Sequence, residues 1–156
     1  MKIRRAEDKD IDKILDLLSQ VCDIHAKIRP DIFILGGTKY SRQDLHEIII
    51  DDDRPVFIAA DDADICRGYC FCVYKEAEVS KCIKPNSQIY IDDLCVDESA
   101  RGQHVGQQLF AYVKEYAKHR GCYEVTLNVW EGNDKARAFY EKMGMTPKET
   151  MMEIIL

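Results

Sequence analysis

The stretch VDESARGQHVGQQLF, residues 96–110, passes from the end of an apolar segment through an acidic turn into Arg-Gly-Gln-His-Val-Gly and then into an amphipathic run. It predicts a strand that hands over to a helix, with Arg101 to Gly106 at the helix N-terminus. The first N–H groups of a helix have no intrahelical partner, and the aligned peptide dipoles put partial positive charge there. Glycines let a backbone approach an anion closely, so such a turn suits a pyrophosphate. Arg101 adds a charge-assisted contact. A plain turn, with glycines that only relieve strain, has the same composition. The stretch is not a P-loop, since GxxxxGK[ST] is absent, and its G-x-x-x-G spacing is not a dinucleotide fingerprint.

Working outward, the chain alternates helical and strand patterns with no repeat or low-complexity tract, which predicts one domain over residues 1–156. KIRRA opens as a short strand. Ile11, Ile14, Leu15, Leu17, Leu18, Val21 and Cys22 then recur at helical spacing, and Pro30 ends that helix. DIFILGGTKY reads as an irregular connection, followed by a helix capped by Ser41 with Asp44 three residues on. PVFIAA, ICRGYCFCVYKEAE and SQIYIDDLCV are strands, the first two joined by the turn DDAD. After the helix VGQQLFAYVKEYAKHR come the strand YEVTLNVW, the helix NDKARAFYEKM capped by Asn133, and a final strand, MTPKETMMEIIL. This order predicts an α/β fold with a mixed sheet, helices on both faces and a right-handed parallel crossover from Ile89 to Trp130.

Composition narrows the function. Of the 156 residues 46% are hydrophobic and 32% charged, which supports a packed core with a solvated surface. The net charge of -6 argues against nucleic acid as a partner. No run approaches a membrane span and the N-terminus carries no signal core. The seven cysteines include no C-x-x-C pair and no metal-ligand spacing; they predict buried thiols, a cytoplasmic location and no metal site.

The stretch LCVDESARGQHVGQQLF, followed by GCYEVTLNVWEGNDKARAFYEKMGM, resembles the GNAT superfamily of acyl-CoA N-acyltransferases. The family's phosphate motif, [QR]-x-x-G-x-[GA], matches Arg101-Gly102-Gln103-His104-Val105-Gly106, except that His104 stands where relatives usually carry Gly. Asn133, Ala136, Phe139, Tyr140 and Gly144 match the later N-x-x-A-x-x-F-Y-x-x-x-G pattern. The resemblance implies a mostly antiparallel sheet of six to seven strands with a splayed parallel pair. It implies acetyl-CoA as donor, with the backbone of Leu94, Cys95 and Val96 along the pantetheine arm and the amides from Gln103 to Gln107 on the pyrophosphate. Asn133 and Tyr140 would lie near the thioester, beside Ala136 and Phe139 of the same motif. With Gly102 and Gly106 retained, the expectation is that His104 is already helical and turns its ring outward.

Direct attack of an amine on a thioester needs a general base, because an ammonium has no lone pair. Strand alternation places Tyr90 and Asp92 on one face and Ile91, Asp93 and Cys95 on the other. Asp92 is therefore the first choice for base or amine-binding group, and Asp93 the second, since a bulge would swap the faces. Tyr140 is the expected donor to the leaving thiolate, and Cys95 is expected to be a small buried residue rather than a nucleophile. The acidic pair, with Glu131, suggests a cationic primary amine on a small molecule or peptide. Trp130, His25, Arg29, Asp31 and Phe33 are candidate walls of the acceptor pocket. A homodimer through MMEIIL is a further expectation. The alternative to an enzyme is a CoA-binding module without turnover, which needs neither Asp92 nor Tyr140.

Overall fold

A computed structural model describes residues 1–76 and 79–156. The opening strand β1, Lys2–Arg5, leads through a 3-10 turn into α1, Ile11–Ile28. Ile11, Ile14, Leu17 and Leu18 of α1 are buried on one side, as their helical spacing predicts. The helix ends at Arg29, before Pro30. Residues 29–41 then run without regular structure to α2, Arg42–Ile49, where Ser41 and Asp44 form a reciprocal capping box.

Strand β2, Val56–Ala60, and β3, Cys66–Lys75, pair antiparallel around the acidic turn. The C-terminal end expected for β3 included Ala77 and Glu78, which lie outside the described residues. Strand β4, Gln88–Val96, pairs antiparallel with β3 and parallel with β5, Glu124–Leu127. Helix α3, Val105–His119, makes the parallel crossover, and α4, Asp134–Lys142, follows β5. The strand order is β1-β2-β3-β4-β5.

The sheet therefore has five described strands, where six to seven were expected. The difference is the last segment. MTPKETMMEIIL forms no strand, and Met151, Met152, Ile154, Ile155 and Leu156 are all exposed. An apolar, β-favouring run becomes a strand only where an edge pairs with it. The tail is instead tied by ion pairs, Lys148 to Glu124 at 2.5 Å and Glu153 to Arg29 at 2.7 Å.

Two apolar layers sandwich the sheet. One packs α1 and α2 on Ile58, Tyr69, Phe71 and Cys95; the other packs α3 on Phe57, Cys70, Cys72, Ile89 and Ile91. Among the described residues no helix is long and apolar enough to cross a membrane.

Candidate active site

The parallel pairing of β4 and β5 runs from Gln88–Glu124 to Ile91–Leu127 and stops there. Beyond it the two strands part, and the first β4 residue past the last pair is Asp92. The β3–β4 register shifts at the same place: Phe71 pairs with Asp93, Cys72 with Ile91, and Asp92 is the extra residue. This bulge breaks the alternation expected from sequence. Ile91 faces the α3 layer, whereas both carboxylates have partners on the α1/α2 side. Asp92 and Asp93 thus share one side, contrary to the alternating assignment.

Asp92 accepts from Lys39 Nζ at 2.6 Å and from the Tyr40 hydroxyl at 3.0 Å. Tyr40 stacks on Phe71 with ring centroids 5.6 Å apart. Asp93 accepts from the Tyr69 hydroxyl at 3.0 Å. Burial pushes its pKa up to about 6, with the Tyr69 hydrogen bond and Lys39 pulling the other way. Lys39 and Tyr40 carry no sequence signal of this placement. They lie in an irregular connection, 53 and 52 positions from Asp92 respectively, and only the folded chain brings them there.

Tyr140 stands on the opposite layer, against Phe110 and Phe139 at centroid distances of 6.2 and 5.1 Å. Burial, then the neighbouring Cys70 and Asp93, hold its pKa well above the usual phenol range, so it stays a proton donor. Cys95 is buried against α1, its thiol 3.9 Å from the Leu17 carbonyl, and burial pushes it up to about 12. Such a thiol is inert at neutral pH, as expected for a packing residue.

Below the fork, a cleft of about 290 Å³ opens at the N-terminus of α3. Its lining brings together Val96, Arg101, Gly102, His104, Val105, Gly106, Gln107 and Phe139, eight of the residues expected to bind cofactor. It adds Ala100 and Lys142, which sequence reading missed. Lys142 follows Phe139 by three positions on α4, and that spacing puts both on one helix face. Gln103, Leu94, Cys95, Ala136, Asn133 and Tyr140 are not among the lining residues. Gln103 turns its side chain onto the Ser99 carbonyl at 3.2 Å, and Asn133 caps α4 by accepting from the Ala136 N–H at 3.3 Å.

The first α3 bond to reach back outside the helix is Gln108 N–H to the His104 carbonyl, 3.0 Å long. Val105, Gly106 and Gln107 precede it, and their N–H groups bond to no carbonyl one turn back. Gly102 and His104 both have positive φ, 80° and 60°. Left-handed residues near a helix start turn successive N–H groups to one side, forming a cradle for anions. His104 is therefore left-handed and not helical, which corrects the expectation. The conformation costs a residue with a β-carbon about 1–2 kcal/mol, and His is one of the types that tolerates it. Its ring lies along the first turn, Nδ1 3.0 Å from Gln107 Oε1, and is exposed. Gly106 is tightly packed: a β-carbon there would lie 3.3 Å from the Phe139 ring and 3.5 Å from Val96, so even a small side chain would need the ring to give by a few tenths of an ångström.

A matching model covers residues 18–145 and describes the acetyltransferase (GNAT) family. The chain belongs to the acetyltransferase (GNAT) family. The resemblance carried by the Arg101–Gly106 motif is borne out. A probable glucosamine 6-phosphate N-acetyltransferase of Oryza sativa subsp. japonica is 29% identical over 156 residues, 99% of this chain and 87% of that protein. A glucosamine 6-phosphate N-acetyltransferase of Trypanosoma brucei brucei is 36% identical over 67 residues, and this match spans only 44% of that protein. The crystal structure of a mutant BH1408 protein from Bacillus halodurans superposes with a TM-score of 0.95 at 28% identity, covering 100% of this chain and 99% of the other. This GNAT chain thus has a GNAT-like fold, a mostly antiparallel sheet with one parallel pair.

On the far side of the fork, the end of α1 meets the loop after β5. Phe33 packs between His25 and Trp130 at centroid distances of 5.0 and 5.2 Å. The Arg29 guanidinium lies 5.9 Å from the Trp130 ring centroid and pairs with Asp31 and Glu153, each at 2.7 Å. Burial lowers the His25 pKa and favours the neutral ring. Glu131 is drawn off to Arg137 at 2.7 Å and its side chain is exposed. Among the described residues no group of three or more His, Cys, Asp or Glu is placed to hold a metal.

Proposed function

We propose that this protein is an acetyl-CoA-dependent N-acetyltransferase that acts on a primary amine of a small molecule or peptide by direct attack. The observation that carries this reading is the fork: β4 and β5 part after Ile91–Leu127, and Asp92 follows at once with an ammonium already in its grasp.

Acetyl-CoA, when bound, supplies the thioester. The amides of Val105 to Gln107, with Arg101 and Lys142, would hold its diphosphate in the α3 cleft. The backbone of Leu94 to Val96, past the end of the β5 pairing, is free to take the pantetheine arm as an added strand. Asp92 binds the acceptor ammonium. Asp93, with its pKa raised to about 6, is better matched than an ordinary Asp to taking a proton near neutral pH. Tyr140 keeps its proton and donates toward the leaving sulfur from the opposite layer.

The relatives' names point to an amino-sugar phosphate as acceptor class. Lys39 and Arg29 are two cations on the acceptor side that suit an anionic group. The described cysteines are all free, which fits a reducing compartment such as the cytoplasm. The exposed apolar tail fits a homodimer.

The test is release of CoA thiol from acetyl-CoA with a panel of glucosamine 6-phosphate, glucosamine and lysine-type amines. Turnover with at least one amine, reduced in Asp92→Asn, supports the reading. Tight acetyl-CoA binding with no turnover on any amine would make this a binding module instead.

A further inference from the structure

The cation at the head of the fork belongs to the protein itself. Lys39 Nζ sits 2.6 Å from Asp92 Oδ2, the oxygen that also takes the Tyr40 hydroxyl. Among the described residues Lys39 is the one cation in an ion pair with Asp92. Its side chain is 37% exposed and that of Asp92 is 23% exposed, so the pair sits at the mouth of the site, within reach of solvent. It comes from residues 29–41, a connection with no helix or strand to fix its reach. The Asp92 side chain that would bind an acceptor ammonium is therefore filled by a primary ammonium of the same chemical class. An acceptor that takes the same Asp92 oxygen must displace it.

We propose that Lys39 is a self-acetylation site, its ε-amine serving as an internal acceptor at the head of the fork. This rests on the transferase reading above. The atoms balance without any further reactant. Asp93 takes a proton from the ammonium that Asp92 holds, the freed nitrogen attacks the thioester carbonyl carbon, the C–N bond forms, and the C–S bond breaks. The sulfur leaves as thiolate and is protonated, so the products are Nε-acetyl-Lys39, CoA and one proton.

Acetylation converts a charged plug into a neutral amide. The ion pair with Asp92 is lost, and with it the cation whose field opposes protonation of Asp93. The carboxylate pair is then unopposed by a protein ammonium. Self-acetylation would thus shift the site away from anionic acceptors and toward cationic ones.

The test is incubation of the full chain with acetyl-CoA and no acceptor, with acetylated positions mapped by peptide mass spectrometry. Lys39 should be modified ahead of every other lysine, up to one acetyl per chain, and excess CoA should block it. Asp92→Asn should slow it by roughly tenfold or more, with acetyl-CoA binding by titration unchanged. In Lys39→Arg no other lysine should take over. Modification spread over exposed lysines, or at Lys39 but indifferent to CoA and to Asp92→Asn, would overturn the proposal, since either is ordinary chemical acetylation. A protein that binds acetyl-CoA and acetylates free amines while Lys39 stays unmodified overturns self-acetylation alone. A protein that binds no acetyl-CoA overturns both readings.

Discussion

Asp93→Asn should stabilise the folded protein at neutral pH and remove the acid limb of its activity. The unfolded chain releases the Asp93 proton near 3.8, whereas burial in the fold holds it to about 6. Between those values the folded state binds more protons than the unfolded state, so this group's contribution to stability falls as pH rises through about 6. A shift of roughly two units corresponds to about 3 kcal/mol carried by the ionised, buried carboxylate. Asn has no charge to bury and its carbonyl oxygen can still accept from Tyr69. The variant should therefore match the wild type near about pH 4 and exceed it by up to about 3 kcal/mol near about pH 7.5. Urea unfolding of both proteins at the two pH values measures this. In the same pair, wild-type kcat/KM should fall as pH drops through about 6, and the variant should lose that limb with most of its turnover. A stability difference that is the same at both pH values would refute the reasoning, because it would mean that Asp93 does not titrate in the fold.

Tyr140→Phe should leave acetyl-CoA affinity unchanged and slow turnover by up to about 100-fold; unchanged turnover in a steady-state assay would remove its donor role. Gly106→Glu should abolish acetyl-CoA binding in titrations while circular dichroism stays native, since the new carboxylate would stand in the cradle and crowd Phe139. His104→Gly removes a β-carbon from a left-handed position, so affinity should hold or rise; a fall would make the ring itself a phosphate ligand. Asp97 is tied to Lys13 at 2.6 Å and to the Ser99 N–H at 2.9 Å, and these contacts hold its pKa far below the carboxylate range. Asp97→Asn should cost roughly 2 kcal/mol in denaturant unfolding at neutral pH. In the wild type that contribution is present above the unfolded pKa and is lost as pH falls through the folded one.

The element order and the α3 cradle were legible because local rules agree with the tertiary outcome there. Ser41 caps because its hydroxyl reaches the Asp44 N–H, and the α1 pattern fits a helix with one buried face. What escaped sequence reading depends on contacts between distant segments. The bulge at Asp92 exists because β3 and β4 shift register at Phe71 and Cys72, which strict alternation along β4 alone does not contain. Lys39 and Tyr40 reach the fork from an irregular connection that no periodicity describes. His104 adopts a left-handed backbone because the turn requires it there, against the residue's own preference. The tail MMEIIL has strand composition but pairs with neither open edge of the sheet, β1 or β5, and composition alone does not make a strand.

The most direct test of the central claim is calorimetric titration of the protein with acetyl-CoA, with ADP as the control ligand. A cleft that holds the diphosphate beneath a fork that holds the pantetheine arm predicts tight binding of acetyl-CoA and much weaker binding of ADP. Equal affinities would reduce the site to a general nucleotide-phosphate cradle. No heat with either would mean that the turn at Arg101 to Gly106 is only a turn, and the transferase reading would fall with it.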